Sequence, residues 1–231
     1  MTATSAQPQE VGHRLSGRLG PLKPKLRGWL HAGTFPFATA AGIVLICLAP
    51  HANARLAAAV YTAGAMLLFG ISALYHRFYW GPTGEAILRR LDHSNIFLLI
   101  AGTYTPLGMV LLHGKDRVLM LGLVWGGAAL GILFRIFWLS APRWIYTPIY
   151  LALGWVAIFW MGDIYHAGGA AVVTLIAVGG GLYSIGAVVY GTKRPNPSPR
   201  WFGFHEIFHA FTVAAFICHY IAVSIATYRA G

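Results

Sequence analysis

Charged residues are scarce in this chain: Lys, Arg, Asp and Glu together make up 10% of its 231 residues, against about a quarter in an ordinary soluble domain. With 57% hydrophobic residues and a mean hydropathy of +0.63, that shortfall excludes a water-soluble globular fold and predicts an all-α membrane protein. Acidic residues are scarcest, six against 17 Lys and Arg, for a net charge of +11. So basic a balance suits nucleic acid only on a folded polar surface, which this composition leaves no room for, and no nucleic-acid partner is expected. The two cysteines, Cys47 and Cys218, both lie in apolar runs. They supply neither a disulfide framework nor a paired CxxC metal site, and buried packing is their expected role. The N-terminal residues have no apolar core ahead of Trp29 and so do not read as a cleavable signal peptide. No internal repeat is found, which gives no support to a transporter built from inverted halves.

What the chain does have is long apolar runs. A helix needs about 20 residues to cross some 30 Å of hydrocarbon. Seven such runs occur, near 29–49, 55–76, 92–112, 118–139, 144–162, 169–190 and 204–227. The expected architecture is a single seven-transmembrane-helix bundle over residues 29–228, behind a basic, flexible cytoplasmic tail at 1–28. Turn-rich or charged segments separate the spans, including RFYWGPTGEAILRR, HGKD, SAPR and GTKRPNPSPRW. Pro36, Pro106 and Pro148 fall inside spans and predict local kinks or missing backbone bonds. Gly122 with Gly126 and Gly127 with Gly131 form two small-xxx-small patterns, read as tight packing within a monomeric bundle; the oligomeric state itself is not legible.

Cytoplasmic loops retain the excess of Lys and Arg. With the N-terminus cytoplasmic and the C-terminus outside, the inner segments hold 13 of the 17 basic residues, and Arg55, Lys115, Arg117 and Arg229 are the four outside. The expected location is the cell plasma membrane (the inner membrane), spanned several times.

Within that topology three distant pieces of sequence arrive at one depth near the cytoplasmic face. The second span ends with Ser72 and His76 one helical turn apart, the third begins with Asp92 and His93, and the seventh begins with His205 and His209. An i, i+4 histidine pair shares one helix face. His76, His205 and His209 together offer three nitrogen ligands and leave a fourth position for water, the pattern of a catalytic rather than a structural Zn2+ site. Ionisable groups in lipid are costly and usually face a functional interior. Asp92 reads either as a partner of the metal site that accepts the proton of an attacking water, or as a charge at a helix N-terminus stabilised by the dipole and by Arg89 or Arg90. Ser72 is placed to polarise a carbonyl or hold water, while His93 is expected to point away from Asp92. Glu206, about 100° around its helix from His205, reaches either the site or the headgroups. His51, His113 and His166 fall in outer loops without an assigned role. His219 stands about 15 Å beyond His209 and cannot share the metal.

SALYH, RRLDHSNIFLLIAGTYTP and GFHEIFHAF resemble the signature blocks of the haemolysin III family, the bacterial branch of the progestin and adipoQ (adiponectin) receptor superfamily. The resemblance covers Trp29 to Tyr228. It implies seven transmembrane helices, a cytoplasmic N-terminus, and zinc held by His76, His205 and His209 with Asp92 and Ser72 close by. It also implies a link to membrane lipid homeostasis and, from eukaryotic relatives, hydrolysis of ceramide-like lipid amides.

The leading expectation is therefore a zinc-dependent hydrolase of membrane lipid amides, with membrane lipids as its partners, Asp92 and Ser72 as catalytic residues and the three histidines as ligands. The alternative is a non-enzymatic lipid-state sensor or lytic, pore-forming haemolysin with structural zinc. Two further readings are an intramembrane metalloprotease with Glu206 as base, from the literal His-Glu-x-x-His, and a haem protein using His205 and His219.

Overall fold

A computed structural model describes residues 23–229, so most of the expected N-terminal tail, residues 1–22, lies outside the described residues. The described chain is helical throughout, and seven of its segments are long and apolar enough to cross a membrane. They comprise α1 (Trp29–Leu48), α2 (Ala52–Arg77), α3 (Pro82–Leu111), α4 (Gly114–Phe137), a composite fifth span, α7 (Ala170–Thr192) and α8 (Phe204–Arg229). The fifth span consists of α5 (Arg143–Gly154), a 3-10 turn (Val156–Trp160) and α6 (Met161–Gly168).

α3 is the central element and touches α2, α4, α5, α6 and α8; α1 meets α8, closing the ring around it. Phe97, Tyr61, Phe69, Met120 and Ile164 fill the interior, while Phe37, Leu130, Phe137 and Phe159 stand largely exposed on the outside. An apolar exterior over a packed interior is the arrangement a lipid solvent favours. The helices of α3 and α4 approach closely because Gly131 leaves room for the ring of Phe97; a Cβ there would collide with it. By contrast Gly122 and Gly126 face open space, so only the second of the two glycine pairs packs within the bundle. Cys47 is exposed on the apolar outer surface and Cys218 is half-buried, so neither is the fully buried packing residue expected; both are free thiols.

Helix α3 begins ten residues before the apolar run does. Pro82 occupies the first turn with Glu85, and both suit a helix N-terminus, the one by its fixed φ and the other by the dipole. The segment expected as a loop before Asp92 is therefore mostly helix, and Asp92 lies well inside α3 rather than at its start, which removes the helix-end reading of that carboxylate. His51 lies in the turn between two helices as expected but has a role there, while His166 falls in a helix rather than a loop. His51 is the N-cap of α2, its Nδ1 accepting from the Ala54 N–H at 3.1 Å, and His166 lies in α6. Helices α1 and α3 continue through Pro36 and Pro106. The irregular stretch falls instead at 154–160, beyond Pro148. There Tyr104 Oη donates to the Gly154 carbonyl and accepts from the Ala157 N–H, both at 2.7 Å. A single phenol thus satisfies two backbone groups that lipid could not.

Candidate metal centre

His76 stands in the last turn of α2, and His205 and His209 in the first turns of α8. Their ligating nitrogens all lie within 4.8 Å of one another, and the Nε2 atoms of His76 and His205 are 3.2 Å apart. Tetrahedral ligands about 2.1 Å from a zinc-sized ion sit about 3.4 Å from each other. The three imidazoles, two buried and one half-buried, thus have the chemistry and the spacing to hold one metal ion. Asp92 Oδ2 approaches His76 Nε2 at 3.7 Å, and Ser72, buried one turn before His76, neighbours the same carboxylate.

His93 does not point away from Asp92 as expected. Its Nδ1 lies 2.7 Å from the Arg89 carbonyl and 3.9 Å from Asp92 Oδ2, and its ring lines the same cavity, because in a continuous helix an i, i+1 pair can flank one groove. Glu206 is fully buried and faces elsewhere. One of its oxygens pairs with the Arg27 guanidinium and the other accepts from the Gly203 N–H at 2.8 Å. That second bond is the backward half of a capping box at the start of α8. Both carboxylate oxygens are engaged in structure, which removes Glu206 as the base of a metalloprotease.

A strap formed by residues 23–28 holds the two helix ends that deliver the histidines. Lys23 Nζ donates to the carbonyls of Tyr75 and Phe78, at 3.2 and 2.7 Å, capping the end of α2. Burial there holds its ammonium below the usual lysine value and Arg27 adds to the lowering, with Glu85 opposing both. The Lys25 and Leu26 N–H groups donate to the carbonyls of Arg200 and Trp201, in the connection to α8. Gly28 has φ 79°, and a Cβ there would stand 2.8 Å from His76 Cβ, so both backbone sign and close approach require glycine.

His31, absent from the sequence reading, is 3% exposed and stacks on His209 with ring centroids 3.7 Å apart and planes 6° from parallel. Neither of its nitrogens has a hydrogen-bond partner. The signal for it was present: it is an ionisable residue in the first turn of an apolar span.

These groups line one end of a cavity of about 610 Å³ that runs between α2, α3, α5, α7 and α8 as far as Trp155 and His219. The cavity falls in the range of about 300–1,000 Å³ typical of small-molecule sites. His219 borders its far end, its Nε2 at 3.3 Å from the Ile176 carbonyl, remote from the three histidines as expected.

The chain is 34% identical over 163 residues to the hemolysin-3 homolog of Bacillus subtilis, covering 69% of this chain and 73% of the relative. It is 35% identical over 173 residues to hemolysin-3 of Bacillus cereus, covering 74% and 76%. A more distant likeness, 24% over 179 residues, covers 76% of this chain and 72% of the monocyte to macrophage differentiation factor of Homo sapiens. Residues 20–220 match the family model described as haemolysin-III related, and this multi-pass membrane protein belongs to that family.

Proposed function

We propose that the protein is a zinc-dependent hydrolase of membrane lipid amides. The observation that carries this reading is a three-histidine cluster with a carboxylate 3.7 Å away, opening onto a largely apolar cavity of about 610 Å³ within the bundle. A structural metal needs no such cavity; a lipid substrate does.

His76, His205 and His209 hold the ion. When bound, zinc supplies Lewis acidity, which polarises a carbonyl and brings the pKa of water toward neutrality. Asp92 accepts the proton of the attacking water and returns it to the leaving amine, the general acid–base role that geometry beside His76 permits. Ser72 orients the Asp92 carboxylate. Leu99, Ile100 and Leu151 line the cavity with apolar surface for an acyl chain, keeping bulk water from the reacting amide. The excess of Lys and Arg at this end supports a cytoplasmic position for it.

The test is release of fatty acid from ceramide-type amides by the zinc-loaded protein in lipid nanodiscs. Asp92→Asn is expected to keep its metal and lose turnover by about a hundredfold or more. Stoichiometric zinc with no release from any lipid amide would overturn the reading in favour of a sensor or lytic protein with structural metal.

A further inference from the structure

The cavity carries a second cluster that the three histidines do not use. Arg89 of α3, Arg135 of α4 and Arg143 of α5 all line it, and all three lie within electrostatic reach of His93. Arg135 is the largest fully buried side chain, 1% exposed. Its terminal nitrogens reach only the carbonyls of Trp138 and Leu139, both at 3.5 Å, and its Nε has no partner. The Arg89 Nε is also buried without a partner. Arg143 donates to the Tyr190 carbonyl at 3.1 Å and stacks on the Tyr190 ring, while Arg135 stacks on Tyr146.

No acidic residue balances this charge among the described residues. Glu206 is paired with Arg27, Glu85 is exposed near Lys23, and Asp116 and Asp163 belong to helix starts at the opposite end of the bundle. Asp92 alone shares the cavity, and its close partners are His76 and His93. Three guanidinium groups thus line one cavity, two of them with a buried Nε that has no partner, and a buried cation without a counter-charge is strongly unfavourable. The matching ligand is an anion. Planar donor forks suit the oxygens of a phosphate.

We propose that Arg89, Arg135 and Arg143 form a binding site for the phosphate monoester headgroup of a membrane amphiphile, whose acyl chain lies in the apolar remainder of the cavity. The site concerns binding and stands independently of whether the adjoining histidines support hydrolysis.

The test uses the full chain, metal-loaded, in a neutral detergent, with binding measured by calorimetry. Three probes are compared: a single-chain lysophosphatidate, the monoacylglycerol of the same chain, and inorganic phosphate. Lysophosphatidate is expected to bind at least about tenfold more tightly than the neutral lipid, and Arg135→Gln to remove about that factor, the scale of one charge-assisted bond. Monoacylglycerol binding and metal content should be unchanged in the variant, which also reports that it folds. Arg89→Gln, on a different helix and only half-buried, should show the same selective loss. Equal affinity for charged and neutral lipids, or unaltered lysophosphatidate binding in both variants, would overturn the proposal. Inorganic phosphate binding as tightly as the lipid would overturn its lipid source in favour of a free phosphate.

Discussion

The two ends of the bundle use the same polar residue types in opposite ways. At the end where α2 begins and α8 stops, three arginines and a histidine each meet a backbone group left over by a helix terminus. Arg55 Nε donates to the Ala49 carbonyl at 3.0 Å, Arg117 Nε to Leu112 at 2.9 Å and Arg229 Nη1 to Gly168 at 2.9 Å, while His51 caps α2. These are the orphan groups every helix end presents. At the histidine end, polar atoms remain without partners: both nitrogens of His31, the Nε of Arg89 and of Arg135, and the Thr147 hydroxyl all border the cavity. Most of the unpartnered buried side-chain atoms among the described residues thus border the cavity, where a ligand can complete them; the hydroxyls of Tyr61, Ser94 and Thr227, away from it, are the others.

The largest effect should come from removing a ligand. His76→Ala and His209→Ala are each expected to abolish stoichiometric metal, measured by elemental analysis, with an affinity loss beyond the roughly 10–100-fold typical of losing an outer partner. Retention of metal in either variant would erase the distinction between the two ends. Next, Glu206→Gln should lower stability by about 3–5 kcal/mol, because it leaves Arg27 uncompensated, yet retain metal and turnover below its unfolding temperature. Turnover lost in a folded Glu206→Gln protein would move that carboxylate from the structural class to the chemical one. Tyr104→Phe, which strips partners from the Gly154 carbonyl and the Ala157 N–H, should cost about 1–3 kcal/mol in thermal unfolding without altering metal content. His51→Ala should be mildest, about 0.5–1 kcal/mol for a lost cap, with metal and turnover unaffected.

The pattern of apolar runs made the seven helices legible, because span length is dictated by bilayer thickness and polar loops separate the runs. The histidine cluster was legible for a related reason: alternating helices return to one face, and an ionisable residue inside an apolar span is conspicuous. Three kinds of feature were not. Amphipathic helix outside the apolar run, as at 82–91, carries no hydropathy signal, so the surroundings of Asp92 and His93 were misread. Arg135 and Arg143 counted only toward orientation, since charge near a span end looks the same whether it faces headgroups or a cavity. The engagement of Glu206 depends on Arg27, 179 residues away, and no local pattern reports such a partner.

That separation bears on how the molecule is made. The first helix and the last are tied by Arg27 to Glu206 and by the Tyr220 hydroxyl to the Ala41 carbonyl, each across 179 residues. During synthesis from the N-terminus, His76 and Asp92 are in place long before His205 and His209 exist, so the histidine cluster is completed only once the last span has been made. A chain halted before α8 therefore leaves Arg27 without the Glu206 carboxylate and the polar cavity without one of its walls.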